Sequence, residues 1–195
     1  MKHPSLYIIS GSNGSGKTTF ALEYLPKYAG QVDFINADLI AKGLSPLDAD
    51  KMAFRASRIF LARIQEVAGL RKDFAFETTL SGKAYVHTLR KMKELGYHIT
   101  MFFLWIPNYQ LALKRIQGRV LEGGHNVPEP IVRRRFKKTL QNLFHSYLPL
   151  LDYLMIFDNS LSEPRPIFEK SESSSHVFEQ ELYAQIFEEV NNEKN

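Results

Sequence analysis

The 195-residue sequence contains no cysteine, which excludes disulfides and thiolate metal sites and suits a reducing compartment. No apolar run approaches the roughly 20 residues needed to cross a bilayer, and the longest, residues 101–106, has the length of a strand. The N-terminus lacks a charged-then-apolar signal pattern. A cytoplasmic protein without a membrane partner is therefore expected. An acidic excess is also missing: the net charge is +4 and the pI about 9.2. The basicity is local. Residues 111–138 carry eight Lys/Arg against two Glu, which leaves the remainder slightly acidic. One basic segment fits a phosphate clamp better than a nucleic-acid footprint, so nucleic acid is not expected as a partner. The six histidines are scattered, and His125 has no companion at metal-ligand spacing. Repeats and linkers are lacking too, so residues 1–195 read as a single domain.

What is present is a glycine-rich turn, Gly11-Ser12-Asn13-Gly14-Ser15-Gly16-Lys17-Thr18, between the apolar run 6–9 and the segment 19–25. The spacing is G-x-x-x-x-G-K-[ST], in a strand–turn–helix setting. Glycines let backbone N–H groups close on a polyphosphate, and the helix start adds its positive end. Lys17 can reach the outer phosphates, and the Thr18 hydroxyl can bind Mg²⁺.

The chain order predicts strands at 5–10, 31–36, 73–78, 98–106 and 150–157. Helices are predicted at 17–28, from Ser45 (as N-cap, with Pro46 at the first position) to near Gly69, and at 83–95, 108–121, 129–146 and 179–191. The long helix should bury Met52, Ala56, Phe60, Ile64 and Val67. A small hairpin over 167–178 flanks the Ser-rich turn 171–175. Alternation of this kind means α/β: a five-stranded parallel sheet flanked by helices, with ligands at the carboxyl ends of its strands.

That rule places the residues after the second and third strands beside the glycine-rich turn. Asp38 there can take a proton from an attacking hydroxyl, act on Mg²⁺ through water, or cap the segment 39–41. Glu77, with Thr78 or Thr79, either contacts a substrate or is a strand-end acid satisfied by backbone. Arg115 and Arg119 share a helix face, and Arg133, Arg134 and Arg135 open the next helix across the break at Gly123-Gly124. They form either a helical lid, at about 111–146, that brings arginines to a transferring phosphoryl group, or a solvated basic face. The aromatic residues within 97–105 and 144–153 fit core or pocket walls better than base-stacking platforms. The loop 158–160 after the fifth strand is placed to approach a nucleotide base through backbone groups.

Four stretches together resemble the zeta-toxin family of P-loop kinases. They are residues 11–19 (ending Thr18-Thr19), Phe34-Ile35-Asn36-Ala37-Asp38, Phe76-Glu77-Thr78-Thr79-Leu80-Ser81-Gly82, and residues 119–128 continuing to Arg133-Arg134-Arg135-Phe136. The resemblance spans about residues 4 to 160. It implies a nucleotide-kinase type P-loop fold, ATP with Mg²⁺, and an acceptor such as a UDP-linked N-acetylated sugar. It further implies that residues 11–19 hold ATP, with Lys17 on its phosphates and Thr18 on the metal. Asp38 would be the catalytic base, Glu77 with Thr78 or Thr79 would contact the acceptor, and Arg119 with Arg134 or Arg135 would clamp the γ-phosphate. An antitoxin is a partner known for such toxins, although no residue here marks one. The chain is shorter than the long toxins, and segment 39–44 is more apolar than their pattern. The alternatives are a nucleoside, nucleotide or polynucleotide-end kinase, or a nucleotide-gated regulatory protein. ATP and GTP are not distinguished.

Overall fold

Side-chain alternation at period two divides the sheet into two faces. The computed structural model describes residues 3–124 and 126–191; His125 lies outside them. Five strands run parallel: β1 (Ser5–Ser10), β2 (Asp33–Ile35), β3 (Phe74–Thr78), β4 (His98–Trp105) and β5 (Tyr153–Asp158). On one face Leu6, Ile8, Phe74, Phe76, Met101 and Ile156 pack under helices α4 (Ala53–Gly69), α5 (Ala84–Glu94) and α8 (Gln180–Asn191). On the other, Ile9, Ala75, Phe102, Leu104 and Phe157 meet Phe20, Ala21 and Leu25 of α1 (Lys17–Glu23) and α2 (Leu25–Ala29). A smaller cluster, including Ala112, Ile116, Val127 and Val132, joins α6 (Tyr109–Leu121) to α7 (Glu129–Asn142). The aromatic stretch of β4 is core, as expected: Phe102, Phe103 and Trp105 are buried.

The sheet has seven strands rather than five, in the order β2-β3-β1-β4-β5-β6-β7. The expected hairpin, β6 (Arg165–Lys170) and β7 (Ser175–Val177), adds antiparallel to β5 and covers an edge that would otherwise expose unpaired backbone. Its first half is hard to read because of Pro166. That proline sits opposite Phe157, where the register shifts, and such an irregularity tolerates a missing N–H.

Two local expectations are corrected. Ser45 is not an N-cap: it ends α3 (Ala37–Leu44), of which only a capped start at 39–41 had been weighed, and its N–H donates to Ala41 O. The long helix begins later, after a 3-10 turn at Asp50–Met52, and buries Ala56, Phe60, Ile64 and Val67. It ends at Gly69, as expected. Arg71 takes the left-handed conformation (φ 52°), and the Lys72 N–H closes on Val67 O.

Candidate active site

Strand register brings the sequence-distant candidates together. Ile9 pairs with Glu77 and Ser10 with Thr78, while Ile35 pairs with Phe76 on the other side of β3. The loops leaving β1, β2 and β3 therefore start side by side, and a cleft of about 1180 Å³ opens over them.

The glycine-rich turn, residues 11–16, is shaped by its surroundings as well as by its motif. At Gly16 (φ 89°) a Cβ would lie 2.5 Å from Asn159 Nδ2, which donates to Ser15 O at 2.6 Å. At Gly14 (φ 75°) a Cβ would lie 2.6 Å from the Ala112 carbonyl oxygen of α6. Helix α1 starts with no side-chain cap and no acid in its first turn. Its leading N–H groups thus suit an anion. Asn13, Gly14, Gly16, Lys17, Thr18 and Thr19 line the cleft. Ser12 and Ser15 are buried.

Lys17 is 9% exposed, and its Nζ donates to Ser12 O at 2.9 Å. Burial pushes its pKa down. The Glu77 and Asp38 carboxylates oppose that shift, and the Arg119 and Arg135 guanidinium groups add to it. Four predicted site residues are thus within electrostatic reach of Lys17. Burial likewise raises the Glu77 pKa, against the pull of Lys17 and a hydrogen bond from Thr18. Thr18 Oγ1 donates to Glu77 Oε2 at 2.9 Å, which leaves the hydroxyl lone pairs for a cation. Among the described residues no three His, Cys, Asp or Glu side chains converge as a metal cage. Mg²⁺ carried partly by substrate phosphates, with Thr18 as protein ligand, fits this donor set.

Asp38 is not the cap of its helix. Asn36 is: its Oδ1 accepts from Asp38 N at 2.8 Å and Leu39 N at 3.0 Å. Asp38 is thereby left on the first turn of α3, lining the cleft. Both lone pairs of Asn36 Oδ1 are engaged, so its amide orientation is fixed and Nδ2 turns away from the helix. Nδ2 lies close enough to Glu77 to favour the anion, without reaching hydrogen-bond geometry.

Thr78 and Thr79 also line the cleft. Thr78 Oγ1 accepts from Leu80 N at 3.2 Å, and Thr79 Oγ1 pairs with Ser81 Oγ at 2.9 Å.

The arginines separate into different tasks. Arg119 and Arg135 line the cleft, and Arg135 Nη1 is 3.5 Å from Asn13 Oδ1. Arg134 is exposed and does not line it. Arg133 lies 4.7 Å over the Tyr109 ring. Arg115, on the same face as Arg119, donates to Asn159 O at 2.8 Å and Ser160 O at 3.0 Å. Those carbonyls belong to the loop after β5, of which Asn159 lines the cleft. Asn36 and Asn159 belong to stretches named from the sequence, but their side chains had been given no role. Asn36 had a signal, a cap-type residue just before a helix start. Asn159 had none, because its partner Ser15 is 144 residues away.

The sequence matches the zeta toxin family model over residues 1–160. It is 31% identical over 126 residues to an uncharacterized protein of Haemophilus influenzae, covering 65% of this chain and 88% of that protein. Its fold is similar to a chain of the AvrRxo1-ORF1:-ORF2 complex, with TM-score 0.74 and 19% identity, covering 98% of this chain and 66% of that one. The same complex has been solved with ATP. A chain of the PezAT toxin–antitoxin system of Streptococcus pneumoniae aligns with TM-score 0.66 and 15% identity, covering 98% of this chain and 88% of that one.

Proposed function

The chain belongs to the zeta toxin family of P-loop phosphotransferases, and we propose that it is an ATP-dependent kinase of small molecules, transferring the γ-phosphoryl group to an acceptor hydroxyl. The observation that carries this reading is the convergence of Lys17, Asp38, Glu77, Arg119 and Arg135 on one cleft. In this reading Lys17 leaves Ser12 O for the β- and γ-phosphates. Thr18, held by Glu77, ligates Mg²⁺, which offsets phosphate charge when bound. Asp38 takes the proton from the acceptor hydroxyl. Arg119 and Arg135, from two different helices, offset charge on the transferring group. Thr78 and Thr79, with Glu77, border the acceptor.

The acceptor we propose is a UDP-linked N-acetylated sugar, met in the cytoplasm. A small protein that covers the cleft is the partner class this reading implies. No helix among the described residues is long and apolar enough to cross a membrane.

The test is incubation with γ-labelled ATP, Mg²⁺ and UDP-N-acetylglucosamine, with a cell extract in parallel. The wild type should label the sugar nucleotide, and Asp38→Asn should not, while calorimetric ATP affinity stays within about threefold. Label on another extract component would move the acceptor and keep the kinase. Failure to label any component would refute the kinase.

A further inference from the structure

Three side chains strap the arginine-bearing helix to the loop after β3, and we propose that this strap makes the acceptor side of the cleft respond to the γ-phosphate. The inference rests on the kinase reading above. Thr139 is buried on α7, one turn beyond Arg135. Its Oγ1 is 2.7 Å from Thr79 O and 2.8 Å from Arg135 O, so one hydroxyl proton serves two carbonyls. Asn142 Nδ2 donates to Leu80 O at 2.7 Å, and the Tyr147 hydroxyl donates to Gly82 O at 2.7 Å. Tyr147 lies at the end of a π turn, Leu143–Tyr147, that continues α7. The wider i→i+5 winding returns Tyr147 to the face that carries Thr139 and Asn142, where regular α-helical winding would rotate it away.

The loop they hold is strained. Leu80 is a buried, non-glycine residue at φ 50°. Such a conformation persists only where neighbours over-determine it, and three side-chain donors within four residues do so. Thr79, Ser81 and Gly82 line the acceptor side of the cleft. The other end of the strap is on the nucleotide side: Arg135 reaches Asn13 of the glycine-rich turn, and its charge is felt at Lys17. A phosphate that draws on Arg135 therefore acts on the carbonyl with which Thr139 shares its proton, and through it on the loop. The lid expected over 111–146 includes this strap. The second half of α7 and its continuation are anchored in the core by Leu140, Leu143 and Tyr147.

The test is amide hydrogen exchange on the full chain with Mg²⁺ and either AMP-PNP or ADP, which differ in the γ-phosphate. In the wild type, AMP-PNP should slow exchange at residues 79–83 at least tenfold relative to ADP. Thr139→Val, which keeps the shape and removes the hydroxyl, should abolish that difference while the glycine-rich turn stays protected; Thr139→Ser should restore it. Should Thr139→Val not fold, Tyr147→Phe is read in the same way at residues 82–84. Equal exchange with both nucleotides in the wild type, with the turn protected, would overturn the strap alone. An unprotected turn would remove the nucleotide site, and the strap with it.

Discussion

Gly14 occupies a variable position of the phosphate-loop motif, yet the packing leaves it no alternative. An alanine there would adopt φ near 75° and place its Cβ 2.6 Å from Ala112 O and 3.0 Å from Ala112 Cα. The left-handed conformation costs about 1–2 kcal/mol for a residue with a Cβ. Ala112 is fully buried on α6, so backbone must move against packed core, which costs about 1–3 kcal/mol more. Gly14→Ala should therefore lose about 2–5 kcal/mol of unfolding free energy. The control is Gly118 on the same helix, where an added Cβ meets nothing within 4 Å. Gly118→Ala should gain up to about 1 kcal/mol from helix propensity. Urea titration at an unchanged m-value measures both. A loss below about 1 kcal/mol for Gly14→Ala, or an equal loss for Gly118→Ala, would refute the packing argument. The same displacement should weaken calorimetric ATP binding, because Gly14 itself lines the cleft.

Arg135→Ala should lower turnover about 10²- to 10³-fold, the usual cost of removing one preorganised charge-stabilising group, whereas Arg134→Ala should stay near wild type in the same transfer assay. Glu77→Gln should change the pH dependence of stability. Burial raises the pKa of Glu77, so above the ordinary glutamate value the folded chain retains a proton that the unfolded chain has lost. Stability then falls as pH rises through that window, and Gln should flatten the decline in urea midpoints measured upward from about pH 4. Asp152 has the opposite sign. Burial pushes its pKa up, but the Ile99 N–H, at 2.7 Å, and Lys93 outweigh it and hold the pKa down. Its stabilisation is present above the ordinary aspartate value and lost as pH falls through the lowered one. Asp152→Ala should cost about 1.5–3 kcal/mol at neutral pH and little in strong acid.

The sequence made the site legible where one motif carries its own geometry, and less so where partners come from afar. The phosphate loop, the five parallel strands and the buried face of α4 follow from local spacing, and the structure places them accordingly. Helix α3 was weighed only as a capped start at 39–41 because its signal is Asn36, a capping residue that also ends a strand-like run. The assignment of Ser45-Pro46 as a helix start followed cap chemistry correctly but applied it to the wrong junction. Those residues link α3 to a 3-10 turn. Three adjacent arginines could be separated only by coordinates. Arg133 stacks on Tyr109, Arg134 faces water and Arg135 faces the cleft because successive helical positions are rotated by about 100°. Arg115 and Arg119 share a face and still differ, since the loop after β5 comes close enough to engage the first.

The β1–β3 register explains why this site costs the free protein stability. Pairing Ile9 with Glu77 puts a carboxylate beside the mouth of the glycine-rich turn, where burial disfavours its charge and that of Lys17 together. Their mutual attraction only partly offsets desolvation: Lys17 donates to Ser12 O, and Glu77 accepts from Thr18. Cations at Lys17, Arg119 and Arg135 are held near one another with two carboxylates between them. A magnesium-bound triphosphate would supply anionic oxygens for the first group and positive charge for the second. Binding should relieve both strains, so the melting temperature should rise with MgATP beyond the rise with ATP in EDTA. If Glu77 acts through Thr18 and the metal, Glu77→Gln should bring the two rises close together. If Glu77 instead serves only the acceptor, the MgATP increment should survive the substitution intact.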